Sequence, residues 1–323
     1  KVKYIIDKNS NQYDKVSAIG EVIHTNSFKH YVEVLRAKYL ISTHISGFLP
    51  TGLKILHQKK ILKFKDKKII FLQHGVIKDY HPTLTKDSVD LDLFICGALP
   101  EYNYVLKEFG HSSNVVKYTG LARFDSLHNC RKKRQVFFMP TWRFDLYGLS
   151  QSEFERTDYY TRISEVLNNN KLTDLLNKYD SSLVFLPHYE MVKYFGDFKT
   201  NTDRIIIDNM TTNIQRYIRE SSLLITDFSS VFFDFAYMKV PVIYYQFDYD
   251  NFRNKHYKEG YFDYRNDGFG PVVSTLNDLI EAVEVCIINN YKMGSDYFHR
   301  ANCFFSLYDK KNSERIFEET IKL

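Results

Sequence analysis

Residues 225–234 read ITDFSSVFFD, Ile225 to Asp234. Leu223, Leu224 and Ile225 close a short apolar run of the kind that forms a buried parallel strand, and a helix over Ser230–Met238 is expected to follow, with Val231, Phe232, Phe235 and Ala236 on its apolar face. A strand that turns through Ser229 and Ser230 into a helix leaves backbone N–H groups without partners and puts the positive end of the helix dipole behind them. Such a turn can seat a phosphate or diphosphate. Asp227 or Ser229 can equally be an ordinary helix cap. The ten residues alone do not choose between the two, but they do predict an α/β chain with parallel strands.

The pattern extends outward from there. Candidate strands lie at Tyr39–Thr43, Ile69–Gln73, Leu93–Cys96, Val115–Thr119, Val136–Met139, Leu183–Leu186, Arg204–Ile207, Leu223–Thr226 and Val242–Tyr245. Helical periodicity lies between and after them at His30–Ala37, Glu101–Phe109, Arg162–Tyr179, Thr212–Glu220, Leu276–Ile288 and Glu314–Ile321. This alternation predicts parallel sheets covered by helices on both faces. The polar segment HNCRKKR, His128–Arg134, lacks apolar periodicity and is expected to link two Rossmann-like domains, 1–130 and 131–323, with a ligand cleft between them at the carboxyl ends of the strands.

Composition limits the function classes. The 323 residues are 44% apolar and 26% charged, which suits a folded chain with sizeable cores rather than a disordered one. A net charge of +5 is mildly basic; it fits an anionic ligand and does not call for nucleic acid. Lys54, Lys59, Lys60, Lys63, Lys65, Lys67 and Lys68 gather in one stretch, interleaved with Leu53, Ile55, Leu56, Ile61, Leu62 and Phe64. Positions 52–64 can be drawn as a helix with an apolar stripe beside a Lys-rich side, which suits an anionic membrane surface; a solvated helix on its own domain has the same pattern. Cys96, Cys130, Cys286 and Cys303 show no Cys-x-x-Cys spacing and read as reduced thiols. No apolar run approaches the roughly 20 residues needed to span a bilayer, and no signal peptide is evident. The chain opens at Lys1 already within a fold, so a trimmed or partial protein is expected.

Four more polar motifs fall just after candidate strands, where open α/β sheets place ligands. In FLQHGVIK (71–78), His74 suits a general base on an acceptor hydroxyl, Gly75 allows a tight turn, and Lys78 lies four residues on; a structural turn histidine is the alternative. In TGLARFD (119–125), Gly120 ends a strand and Arg123 can meet a phosphate or pair locally with Asp125. In MPTWR (139–143), Thr141 offers a hydroxyl and Arg143 a forked cation for a diphosphate oxygen. In FLPHYE (185–190), His188 ends a strand of the second half.

Taken together, HG-x-x-K (His74, Gly75, Lys78), TG-x-x-R-x-D (Thr119 to Asp125), PT-x-R (Pro140, Thr141, Arg143), PH (Pro187, His188) and TD-F-SS-x-x-F-D (Thr226 to Asp234) resemble the CDP-glycerol glycerophosphotransferase family. The segments PVIYYQFDYDNF (241–252) and GYFDYRNDGFGPVV (260–273) fit its pattern as well, so the likeness runs over about residues 65–320. It implies a GT-B-like α/β fold and a transferase that passes glycerol phosphate or ribitol phosphate from a CDP-alditol to a hydroxyl of a membrane-linked teichoic acid or capsular polymer, releasing CMP. It also implies a peripheral place on the inner, cytoplasmic face of a bacterial membrane. On the family pattern His74 is the general base and His188 the second essential histidine. Thr141, Arg143, Thr226, Asp227, Ser229, Ser230 and Asp234 fall on the donor side, and Gly75, Lys78, Gly120 and Arg123 at phosphate or acceptor contacts. Many members read WHGT-P-x-K where this chain has QHGVIK, which puts the contacts of the missing Thr hydroxyl in question.

Such a transfer needs positioning and charge neutralisation more than covalent chemistry. Asp90–Asp92 and Asp248–Asp250 have spacing that can ligate Mg²⁺, but each also reads as a turn or strand entry. No tightly bound metal is expected, and Mg²⁺ dependence is left open. A sugar-transferring GT-B enzyme using a UDP or GDP donor is the main competing reading; an inactive scaffold relative is the second.

Overall fold

The computed structural model describes residues 1–10, 12–58, 64, 66–194, 196–208, 213–255 and 258–323. Lys59, Lys60, Lys63 and Lys65 of the lysine cluster, and the start of the helix expected over Thr212–Glu220, lie outside the described residues. The chain forms two compact units: residues 1–74, 81–122 and 311–323, and residues 75–80 and 123–310. These bounds differ from the expected 1–130 and 131–323 division, because the segment after His74 packs with the second unit and the C-terminal helix with the first.

The first unit holds β1 (Lys3–Ile6) and β2 (Glu21–His24), a parallel pair that the sequence patterns did not predict. Its main sheet is β3 (Tyr39–Ser42), β4 (Lys68–Phe71), β5 (Leu93–Cys96) and β6 (Val116–Tyr118), parallel and in chain order. Burial of all four residues of β5 is what apolar LFIC specifies for a central strand with helices on both faces. The helix Asn312–Ile321 returns to this unit through Arg315, whose Nε donates to the Thr119 carbonyl at 2.9 Å.

The lysine cluster is only partly a surface. Lys54 lies on the helix Thr51–Gln58, which exposes Ile55 and Leu56, but Lys67 is buried and donates to the Leu35 and Ala37 carbonyls at 2.7 and 3.2 Å. Its stem is used for packing, so it takes no part in a solvated basic face.

The second unit is a six-stranded parallel sheet. In chain order its strands are β7 (Gln135–Phe138), β8 (Ser182–Phe185), β9 (Ile205–Ile207), β10 (Leu223–Thr226), β11 (Val242–Tyr245) and β12 (Val272–Val273). Their spatial order is β12-β11-β10-β7-β8-β9, so the first strand lies beside the fourth and the direction of winding reverses between β7 and β10. Open parallel sheets bind ligands outside the carboxyl ends of the strands at such a switch point. The segments leaving these two strands are PTWR and DFSS.

Two expected helices changed. The pattern over Arg162–Tyr179 is two helices, Asp158–Leu167 and Asn170–Lys178, because Asn169 caps the second by accepting from the Leu172 N–H. The helix expected over Ser230–Met238 is shorter, Phe232–Tyr237, and all six of its residues are buried, so it has no exposed face. Its rings join Phe262, Phe269, Phe304 and Phe305 in one aromatic cluster, which absorbs part of the high phenylalanine content into packing.

Candidate active site

The centre of the second unit's switch point is Arg143. Its guanidinium is 2% exposed and all its donors are engaged by the protein. Nε and Nη2 donate to the two oxygens of Asp248 at 2.7 and 2.8 Å, Nη2 also to Asp227 at 2.8 Å, and Nη1 to the Thr141 carbonyl at 2.5 Å. Burial works against the charge, but Asp227 and Asp248 outweigh it and raise the guanidinium above its ordinary pKa. Tyr159, Phe228, Phe247 and Phe252 enclose it with ring faces 5.0–5.7 Å away. Arg143 is therefore a positioning residue that ties the ends of β7, β10 and β11 together, and the expected direct contact with a diphosphate is not what the structure gives.

Other residues of the donor list also serve as frame. Asp227 accepts from the Thr141 N–H at 2.8 Å and from its neighbour Phe228 N–H at 2.5 Å. Thr226 is fully buried and donates to the Met139 carbonyl at 2.7 Å. Asp234 grips Arg123 in a bidentate pair at 2.6 and 2.7 Å, so Nε and Nη2 of this side chain are committed to the frame rather than held out for a phosphate. Lys78 is buried against Asp79, whose other oxygen takes Arg253 at 2.8 Å. Burial pulls the Lys78 ammonium below its usual value, and Asp79, flanked by two cations, is held below the carboxylate range despite its own burial. Gly120, at φ +77°, packs so closely that a Cβ would lie 1.8 Å from Asn312 Oδ1; it seats the C-terminal helix of the first unit. Asp248, Asp79 and Arg253 are site residues that sequence reasoning did not assign, although Asp248 lay in a segment that fitted the family pattern.

Three donor-side residues face a different situation. Ser229 and Ser230 are half-buried, and among the described residues their backbone N–H groups have no protein acceptor. The buried Thr141 hydroxyl likewise has no partner. Gly75 lies against this turn, where a Cβ would sit 3.1 Å from Ser230 Oγ, so the glycine lets the chain approach the serines. Unsatisfied donors of this sort at a switch point suit an anionic ligand.

The two histidines end strands in different units and are held in opposite tautomers. His74 is exposed, stacks on His44 with centroids 4.7 Å apart, and its Nδ1 lies 3.2 Å from the Thr43 carbonyl. A carbonyl can only accept, so Nδ1 carries the proton and Nε2 is the basic nitrogen. Gln73 sets the ring's direction from a left-handed backbone at φ +61°, held by its buried side chain, which donates to the Ile95 carbonyl at 2.6 Å and to Glu101 at 3.1 Å. His188 is half-buried beside Trp142 and Tyr189, and its Nδ1 accepts from the Glu190 N–H at 3.3 Å, so Nε2 carries its proton. Burial depresses its pKa, with Glu190 and Asp227 opposing.

A family model for CDP-glycerol:poly(glycerophosphate) glycerophosphotransferase matches residues 1–322. The chain belongs to this family. Among curated members, the minor teichoic acid biosynthesis protein GgaB of Bacillus subtilis (strain 168) is 31% identical over 333 residues, 99% of this chain and 36% of that one. The teichoic acid poly(glycerol phosphate) polymerase of the same strain is 29% identical over 69% of this chain and 28% of its own length. This family member thus spans about a third of the length of the curated relatives it matches. Among solved structures, the wall teichoic acid polymerase TagF superposes with a TM-score of 0.70 at 18% identity, covering 100% of this chain and 81% of that one. A UDP-N-acetylglucosamine 2-epimerase structure from Listeria monocytogenes, described as putative, gives 0.58 at 13% identity, covering 100% and 88%. The fold is α/β and GT-B-like.

Proposed function

We propose that this chain is a CDP-alditol phosphotransferase that moves glycerol phosphate or ribitol phosphate onto a hydroxyl of a lipid-linked teichoic acid or capsular polymer. The observation that carries the reading is the turn after β10, where the Ser229 and Ser230 N–H groups and the Thr141 hydroxyl lack partners at the sheet's switch point. In this reading those groups hold the donor's diphosphate, and Arg143 with Asp227 and Asp248 fixes their geometry. The acceptor oxygen attacks the alditol-bearing phosphorus while His74 Nε2 takes its proton; the bond from that phosphorus to CMP breaks, and His188 Nε2–H donates to the oxygen of the departing phosphate. Family membership and the teichoic acid polymerases among its relatives favour this over a sugar-nucleotide donor.

The cofactor reading is that no tightly bound metal is needed. Asp92 accepts from the Ile69 N–H at 2.8 Å, Asp90 pairs with Lys86 at 2.8 Å, and Asp248 is committed to Arg143, so three of the four carboxylates in the two Asp-x-Asp pairs have protein partners. Activity that survives chelator dialysis supports this; loss that Mg²⁺ restores refutes it. Work at the inner face of a bacterial membrane is part of the same proposal. Its support is the Lys-rich stretch of sequence with exposed Ile55 and Leu56.

The deciding assay offers CDP-glycerol, CDP-ribitol and UDP-N-acetylglucosamine separately, with and without a lipid-linked acceptor. Acceptor-dependent CMP release is expected and should fall at least tenfold in a Ser229→Pro, Ser230→Pro protein, in which both donor N–H groups are gone. UDP release would assign a sugar donor instead, and no release from a folded protein would favour the scaffold.

A further inference from the structure

At the opposite end of the second sheet from the switch point, a cavity of about 300 Å³ opens beside Lys132, Lys133, Arg134, Ser222, Asn290 and Tyr291. Arg134 directly precedes β7 and Ser222 directly precedes β10, which places the cavity at the amino ends of these strands, while the candidate active site lies at their carboxyl ends. Three consecutive cations line it, and only Lys133 has a carboxylate partner among the described residues, Glu220.

Lys132 is the informative one. Among the described residues its Nζ reaches only the Ile218 carbonyl and Met238 sulfur, both at 3.4 Å, and it lies 5.9 Å from the Phe235 ring. Largely buried and without a counter-charge, the ammonium is pulled down to about 8. A buried, uncompensated cation is costly and is relieved by an anion within reach. Arg134 is pre-set beside it: its Nε donates to the Tyr179 carbonyl at 2.9 Å and its plane lies over Tyr291 at 5.6 Å. The far wall is a turn with two consecutive left-handed residues, Asn290 at φ 52° and Tyr291 at φ 57°. Neither is a glycine, so the turn is strained, and it is closed by the Tyr291 N–H donating to the Cys286 carbonyl at 2.9 Å and the Tyr291 hydroxyl donating to Ser181 at 2.8 Å. Cations of this chemistry in a concave site recognise phosphate oxygens.

We infer that this pocket binds a phosphate mono- or diester at a site separate from the donor site. The ligand is either a soluble phosphoester or a phospholipid headgroup, and exposed Val285 and Ile288, on the last turns of the helix that leads to Asn290, offer apolar contact for the second.

The test uses the full chain with the donor site filled by excess CDP. Binding of sn-glycerol 3-phosphate is measured by calorimetry, and binding of vesicles of phosphatidylglycerol or of phosphatidylcholine by flotation. The native protein should bind one or both phosphate probes, with no preference for phosphatidylcholine. Lys132→Met combined with Arg134→Gln should weaken that binding at least tenfold and leave CMP release with a soluble acceptor unchanged. Arg134→Gln alone, at an exposed position, should weaken it several-fold, and Lys132→Arg should retain it. Glycerol 3-phosphate binding lost in the variants makes the ligand a soluble phosphoester; loss confined to phosphatidylglycerol vesicles makes it a headgroup. Binding that is absent in the native protein, or equal in native and variant proteins, overturns the inference, and neither result bears on the transferase reading.

Discussion

His74 and His188 occupy equivalent places in the two units, just beyond the carboxyl end of a parallel strand, yet the chain around them gives them opposite chemistry. At the end of β4 a backbone carbonyl accepts from Nδ1–H, which makes Nε2 the basic nitrogen of an exposed ring. At the end of β8 a backbone N–H occupies Nδ1, and the half-buried ring presents Nε2–H as a donor. In the proposed reaction one residue type serves as proton acceptor in the first unit and proton donor in the second, and the difference is made by one main-chain group at each site.

The largest expected effect comes from removing the base. His74→Ala should lower kcat by about 10²–10⁴, the usual range for a general base, while donor affinity stays within a few-fold and the unfolding midpoint hardly moves, since the ring is exposed. Steady-state kinetics beside thermal unfolding checks this; lost donor affinity with normal saturated turnover would exchange the roles of the two histidines.

At the other site His188→Ala should cost about 10²–10³ in kcat by removing a donor from the developing charge. His188→Gln should recover part of that loss, because an amide N–H can still donate. The same Gln at position 74 should recover nothing, since it cannot take a proton at neutral pH. Equal behaviour of the two Gln variants would erase the distinction drawn from the tautomers.

A smaller effect is expected from the residue that aims the base. Gln73→Gly tolerates the φ of +61° but removes the side-chain bonds to Ile95 and Glu101. kcat should fall by about tenfold through misorientation, with KM for the donor unchanged. Gln73→Glu keeps one acceptor but loses the donor N–H and places a charge beside Glu101, so it should do no better; a variant with native kcat would remove Gln73 from the site.

Much of this was legible in the sequence, and the missing part has a common cause. Nine strand positions followed from apolar runs because buried parallel strands carry no competing pattern. The short edge elements β1, β2 and β12 escaped because runs such as KYII and VV are too brief to show a period. The motif positions were legible as a set, but which of them face a ligand was not. Arg143, Asp227 and Asp248 satisfy one another, as do Arg123 and Asp234, or Lys78, Asp79 and Arg253. Each pairing joins residues distant in sequence, except Lys78 with Asp79, and charge alone cannot tell a buried partner from a waiting ligand. The remainder, Ser229, Ser230, Thr141 and the histidines, emerges only after those pairs are formed. Breaking a buried pair of this kind costs about 3–5 kcal/mol, so an alanine scan of the motifs without a stability readout would misassign frame residues as ligand contacts.

The smallest effect is also the most direct measure of His188's surroundings. Burial lowers its folded-state pKa below the ordinary 6.5, so between those two values the unfolded chain binds a proton that the folded chain does not. The stability that His188 contributes is therefore fully present above pH 6.5 and is lost as the pH falls through the lowered folded value. His44, His57, His111 and His128 are lowered by burial too, so the native pH profile alone is not diagnostic. The difference between native protein and His188→Gln isolates the one group, and its slope should be confined to the window below pH 6.5. An NMR titration of the His188 ring should give a value under 6.5 in the free protein and a higher one with CDP bound, because the diphosphate's charge favours the imidazolium. A free-protein value above 6.5 would place Glu190 and Asp227 ahead of burial and make His188 a cation before the donor arrives, which would remove the tautomer argument for its role.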